Sequence, residues 1–127
     1  IASHPLNHPG GGSGYRICHQ DSDQTFTHLL DHEHGSELDE ALLEFARGSS
    51  LVAWDGCYEA EIYEHVKGFG HSTWQEGIKF GDTIKSPVAI SGHRFNRTDV
   101  ECDQIETQLT SPHMLARDGL FVELPLD

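Results

Sequence analysis

Two segments about fifty residues apart contain the side chains that could carry chemistry. Segment 31–40 holds His32 and His34 among acidic residues, and segment 81–96 holds a Gly-Asp turn, a proline and His93. On a β-strand, side chains at positions i and i+2 lie on the same face. Both imidazoles of the first segment could then bind one cation at about 2.0–2.1 Å. With His93 and a carboxylate they predict a metal site of three histidines and one acid.

Two glutamates of the first segment, Glu37 and Glu40, are candidates for the carboxylate position of this site. A set of nitrogen and oxygen ligands with open positions suits a divalent transition metal, such as Fe, Mn, Ni, Cu or Zn. Such an ion can bind O2, polarise a carbonyl or hold an enediolate. The sequence does not single out a catalytic acid or base.

The two segments together resemble the motifs of the cupin superfamily. His32, His34 and Glu40 match the ligands of its first motif, with Gly48 as the closing glycine. The resemblance therefore implies Glu40 as the carboxylate ligand, with Glu37 as its rival. The second motif is matched by Gly81, Asp82, Pro87 and His93, although the spacing in both motifs departs from the family pattern by about one residue. The resemblance implies a jelly-roll β-barrel with one internal metal. The activity it implies is that of a dioxygenase, an isomerase or a lyase on a small polar substrate.

The pattern of short apolar segments also predicts an all-β fold, which the resemblance implies to be a cupin-like jelly roll. Residues 1–14 contain two prolines and a glycine-rich run, which predict a flexible N-terminal arm before a single domain at 15–127. Alternating segments separated by Gly and Asp turns are typical of a β-sandwich or barrel. The predicted strands are 15–18, 25–30, 50–54, 58–66, 78–80, 83–84, 87–90, 100–102, 105–109 and 120–124.

One segment conflicts with an all-β reading. Leu38, Ala41, Leu42 and Phe45 have helical spacing, and Gly48 stands where a helix C-cap is expected. Local propensity therefore predicts a short helix at 37–47, whereas the cupin resemblance requires a strand there.

Composition limits the partners and the compartment. The chain has 127 residues and a net charge of −13, which argues against binding nucleic acid or an anionic membrane surface. No apolar run is long enough for a membrane span. The three cysteines are far apart, which favours reduced thiols and a cytoplasmic location. The expected partner is a small molecule, and the cupin resemblance adds a homodimer.

Two other functions remain open at this stage. A jelly roll can be a non-catalytic module that binds a sugar or another small ligand. Segments 34–36 and 104–106 faintly resemble motifs of ADP-ribosyl transferases, which would bind NAD. Ten histidines are present in all. His8 falls in the predicted arm and His71 beside a glycine-rich loop, and both are interpreted as solvent-exposed.

Overall fold

The structure is a computed structural model that describes residues 1–91 and 96–126. Within these residues one mixed sheet has its strands in chain order: β1 Ala2–Pro5, β2 Ser13–Cys18, β3 Thr25–Leu29, β4 Leu51–Asp55, β5 Val88–Ser91 and β6 Met114–Ala116. The helical elements are α1 Asp39–Ala46, a 3-10 turn Ala60–Ile62, α2 Tyr63–Val66, α3 Trp74–Ile84 and α4 Asp99–Gln108. The first two strand pairs are antiparallel and the other three are parallel.

The predicted all-β, cupin-like jelly roll is therefore wrong. A jelly roll is built from antiparallel strands in two sheets, whereas parallel neighbours need a long crossover, usually a helix. Most residues of five predicted strands lie in helices instead: 58–66, 78–80, 83–84, 100–102 and 105–109. Residues 1–14, predicted as an arm, contribute β1 and the start of β2, and Ala2 pairs with Arg16.

Two helices begin at a Thr-x-x-Glu sequence that competes with the strand pattern. In α4, Thr98 Oγ1 accepts a hydrogen bond from Glu101 N while the Glu101 carboxylate accepts one from Thr98 N, a complete capping box. In α3, Thr73 Oγ1 accepts from Glu76 N at 3.2 Å. These caps satisfy backbone donors that a new helix leaves unpaired, and they outweigh the weak alternation of apolar residues.

The glycines of α3 serve close packing rather than a turn. A Cβ atom on Gly77 would lie 2.4 Å from Cδ1 of Trp54, and one on Gly81 would lie 2.4 Å from Cγ2 of Val88. The helix can rest directly on β4 and β5 only because both positions lack a side chain. The Gly81–Asp82 turn predicted from sequence is thus part of a helix.

Segment 37–47 follows its local signals and forms α1 at Asp39–Ala46. Leu42 and Ala46 are fully buried on its inner face. Gly48 follows the helix with a φ of 76°, a left-handed conformation that favours glycine.

The core lies between the sheet and the helices α1, α3 and α4. Strands β3 to β6 follow one another across the sheet in parallel, and side chains of α1, α3 and α4 join those of the strands in one buried cluster. The most deeply buried strand residues of this core are Leu29, Val52, Trp54, Val88 and Ile90, all at most 2% exposed. This arrangement leaves the carboxyl ends of the parallel strands at one open edge of the sheet.

The substitution Gly77→Ala tests this packing. We expect it to lower the free energy of unfolding by about 1–3 kcal/mol, because overpacking against Trp54 outweighs the better helix propensity of alanine. Chemical denaturation measures the change, with Lys79→Ala on the exposed face of the same helix as control. Equal or greater stability of Gly77→Ala would contradict the close contact.

Candidate metal centre

Two aspartates lie at or just after the carboxyl ends of neighbouring parallel strands. Asp55 is the last residue of β4, and Asp31 follows β3 by two residues. Leu29 and Trp54 are neighbours in the register of these strands, so the two acids emerge at the same edge. Ligands of open α/β sheets bind at this carboxyl edge.

Two loops bring histidines to the same edge. His8 lies in the connection from β1 to β2, and β2 runs antiparallel to β3 with Tyr15 opposite His28. The start of β2 is therefore beside the end of β3. His71 lies in the loop before α3, and its ring centroid is 5.5 Å from that of His8.

His8, Asp31 and His71 form a cluster with the composition of a metal site. One ligand atom from each lies within 4.8 Å of the others. Asp31 Oδ1 also lies 3.8 Å from His71 Nδ1, the ring nitrogen that contacts Asp55. Two imidazoles and a carboxylate suit zinc and other divalent transition metals. Ligand bonds are about 2.0–2.2 Å long, so the three side chains must close slightly around an ion. Asp31 is exposed and both histidines are partly exposed, which gives an ion access from solvent.

The buried carboxylate of Asp55 orients His71. Asp55 Oδ2 is 2.8 Å from His71 Nδ1 and also accepts from His32 N, while Oδ1 accepts from Cys57 N. An ionised carboxylate only accepts hydrogen bonds, so the proton of a neutral His71 ring is on Nδ1. Nε2 is then the nitrogen with a lone pair. Metal-binding histidines are commonly held by a carboxylate in this way.

A second buried carboxylate, Glu33, fixes the loop that carries His71. Its Oε1 accepts from Gly68 N at 2.7 Å and from the Tyr63 hydroxyl at 3.1 Å, and its Oε2 accepts from Gly70 N at 3.0 Å. Burial raises the pKa of Glu33, but these three donors outweigh it and hold the pKa below its ordinary value. Burial and the Glu33 carboxylate raise the pKa of Tyr63 to about 12, so the phenol remains a donor.

Asn7 joins the His8 loop to the segment after β3. Its side-chain Nδ2 donates to Glu33 O and its backbone O accepts from Glu33 N, both at 2.9 Å. Its backbone N donates to His32 Nδ1 at 3.1 Å. His8 and Asp31 are the chain neighbours of these residues, so the network sets the distance between them.

His32, the first ligand predicted from sequence, has both ring nitrogens directed at protein atoms. The side chain is 1% exposed, and Nδ1 accepts from Asn7 N. Nε2 lies 3.4 Å from Asp39 Oδ1, an ion-pair contact longer than a good hydrogen bond. In this arrangement the ring braces α1 against the strand ends.

The other ligands predicted from sequence differ in their burial and surroundings. His34 is partly buried, its ring lies 4.4 Å from that of Tyr63, and burial lowers its pKa. Glu40 and its rival Glu37 are exposed on the side of α1 and the turn before it. His93 lies outside the described residues. The set of His32, His34, Glu40 and His93 therefore stays a prediction, and the structure pairs His32 with Asp39 rather than with either glutamate.

The sequence contained a usable signal for the cluster that was missed. Asp31 and Asp55 each follow a buried apolar strand, and His71 stands directly before the Ser-Thr that starts α3. With an all-β fold predicted from antiparallel segments, nothing indicates that parallel strand ends converge, and His71 is interpreted as solvent-exposed.

Comparisons with known proteins support this architecture at the level of the fold. No protein-family model matches the chain, and no curated protein sequence matches it. Among solved structures, human tRNase Z, short form, matches with a TM-score of 0.69 and 16% identity over 98% of this chain. The chain shares the metallo-β-lactamase fold. It spans 42% of the length of that tRNase Z chain.

This fold replaces the cupin resemblance. The metallo-β-lactamase fold is an α/β fold with a mixed sheet, as found here, and not a jelly-roll barrel. None of the helices in the described part of the chain is long and apolar enough to cross a membrane.

Glu33→Gln tests the clamp on the His71 loop. The glutamine side chain has only one acceptor oxygen, so we expect the free energy of unfolding to fall by about 1–3 kcal/mol. The backbone N–H groups of Gly68 and Gly70 should also exchange their hydrogens faster. The folded pKa of Glu33 is below its ordinary value of 4.5. Its contribution is therefore complete above about pH 5 and is lost as pH falls through the folded pKa.

Urea denaturation from about pH 7 to pH 3 measures this effect. The difference in stability between wild type and Glu33→Gln should shrink toward low pH. Glu64→Gln, at an exposed position of α2, is the matched control. A pH-independent difference, or unchanged exchange at Gly68 and Gly70, would count against the clamp.

Proposed function

We propose that this chain belongs to a metal-dependent hydrolase and that His8, Asp31 and His71 hold its divalent ion. The observation that carries the proposal is their convergence within 4.8 Å at the carboxyl edge of the sheet, in front of the buried Asp55. The fold adds support, since tRNase Z, which shares it, is a metal-dependent hydrolase. Zinc is the first choice of ion for two imidazoles and one carboxylate.

The chain's own residues have definite parts in this reaction. A bound divalent ion would supply an activated water and polarise the bond to be cleaved. Asp55 holds the Nδ1 proton of His71 and keeps Nε2 directed away from itself. Asp31 brings the negative charge that balances the ion. The protein thus contributes orientation and charge, with both carboxylates fixed by strand ends.

The activities first expected from the sequence do not carry over. Dioxygenase, isomerase and lyase chemistry were implied only by the cupin resemblance, which the mixed sheet contradicts. The sugar-binding jelly-roll module loses its basis for the same reason. What remains from the sequence is an enzyme that depends on a divalent metal.

Charge favours a small substrate. The net charge of −13 repels a polyanion, and binding nucleic acid normally requires clusters of Lys and Arg. The chain has only 8 of these residues. We therefore propose an ester or phosphoester bond in a small molecule, rather than an RNA like the substrate in the name tRNase Z.

Calorimetric titration with Zn²⁺ tests the ligand set. We expect His71→Ala and Asp31→Asn to weaken binding at least tenfold, because each removes one of three ligands. Asp55→Asn should weaken it by about 10–100-fold by releasing the His71 ring. His65→Ala, at an exposed position of α2, is the matched control and should bind as wild type.

The same titration separates the two ligand sets. His34→Ala should bind zinc as wild type if the ion lies at His71. Loss of binding in His34→Ala and His93→Ala, with binding intact in His71→Ala, would overturn the proposed site and favour the set first predicted.

A chromogenic assay tests the reaction class. Zinc- or manganese-loaded protein should release 4-nitrophenol from bis(4-nitrophenyl) phosphate or from 4-nitrophenyl acetate, and chelation should stop it, because the ion supplies the activated water. Asp31→Asn should abolish turnover and His65→Ala should retain it. No turnover by metal-loaded protein, or equal turnover after chelation, would refute the hydrolase.

A further inference from the structure

A cavity of about 160 Å³ lies between α1 and α3, against the end of β4. Its apolar lining consists of Leu42, Leu43, Trp54 and Phe80, and the buried ring of His32 also lines it. The rings of Trp54 and Phe80 are 4.8 Å apart and tilted by 35°, so they form a continuous aromatic surface. An apolar cavity of about 150 Å³ is large enough for benzene, so this one can hold a single six-membered ring.

The rim of the cavity carries net negative charge. It contains the carboxylates of Asp39 and Glu76 and the imidazole of His34. Burial raises the pKa of Asp39, but the nearby His32 ring and the hydrogen bond from Gly35 N outweigh it and lower the pKa, so the carboxyl stays ionised at neutral pH. Burial lowers the pKa of His34, so its ring is neutral there.

One positive group also reaches the rim, and it does not cancel this charge. Lys79 Nζ lies 3.9 Å from Glu76 Oε1, and the Lys79 side chain is 76% exposed. An ion pair this long and this exposed is weak and screened by salt. Two carboxylates and a neutral imidazole therefore face a ligand at the mouth.

The cavity is distinct from the candidate metal centre. The ring of His32 lines the cavity, whereas its backbone N donates to Asp55 Oδ2 on the side of His71. No residue of the cluster His8, Asp31 and His71 lines it. A ligand here would not occupy the coordination sphere of an ion at His71.

We propose that this cavity binds a small organic monocation with a ring-sized apolar body. The body lies against Trp54 and Phe80, and the ammonium or amidinium group lies at Asp39 and Glu76. The volume of the cavity limits the apolar part of the ligand to about one ring, and the negative charge of the rim selects a cationic head group. Neither an inorganic ion nor an anion meets both requirements.

Three probes of equal size test the proposal on metal-free protein: benzylammonium, benzyl alcohol and benzoate. Binding is followed by the indole N–H resonances, because Trp54 lines the cavity and Trp74 does not. Benzylammonium should shift the Trp54 signal saturably and bind about fivefold tighter than benzyl alcohol, the strength of one partly exposed charge contact. Benzoate should leave the Trp54 signal unchanged.

Matched variants separate a site from loose surface binding. Glu76→Gln should weaken benzylammonium about fivefold, whereas Glu40→Gln, exposed on α1 and outside the lining, should not. Thr83→Trp, at an exposed position on the cavity edge, should block all binding. Equal affinity for the three probes, Trp54 shifts that survive Thr83→Trp, or no shift with any probe would overturn the proposal. If Thr83→Trp fails to fold, the comparison of Glu76→Gln with Glu40→Gln decides.

Discussion

The buried carboxylate of Asp55 is the interaction on which the candidate metal centre depends. An ionised group with no solvent exposure costs several kcal/mol unless donors replace its water. Here the donors are the backbone N–H groups of His32 and Cys57 and the ring of His71. They come from the segment after β3, the turn after β4 and the loop before α3. Satisfying one charge therefore fixes three chain segments against each other.

The buried carboxylate of Glu33 also fixes several chain segments against each other, and it does so behind the loop that carries His71. Its carboxylate gathers the N–H groups of Gly68 and Gly70, and its backbone is tied to Asn7. Gly70 also has to be glycine for a second reason, since a Cβ atom there would lie 2.5 Å from His8. The two carboxylates together set the distance between the His8 loop and the His71 loop. The three side chains of the candidate metal centre are thereby held near the geometry of a metal site.

Local features of the sequence predicted α1 and most of the sheet strands correctly, but not the architecture. Helical spacing before Gly48 indicated α1, and the apolar runs at 25–30, 50–54 and 87–90 indicated β3, β4 and β5. The helices α3 and α4 were missed because glycines and alternating apolar residues resembled turns and strands. Gly77 and Gly81 make sense only once Trp54 and Val88 are known to lie beneath them. Likewise, Asp31 and Asp55 are ordinary turn residues until parallel pairing brings the strand ends together.

The most direct test of the account is the position of the ion in crystals grown with zinc. An anomalous difference map at the zinc edge locates the metal without reference to activity. The account predicts a peak bonded to His8, Asp31 and His71, with the His71 ring still hydrogen-bonded to Asp55 through Nδ1. A peak at His32 and His34, or no ordered zinc at the carboxyl edge of β3 and β4, would contradict it.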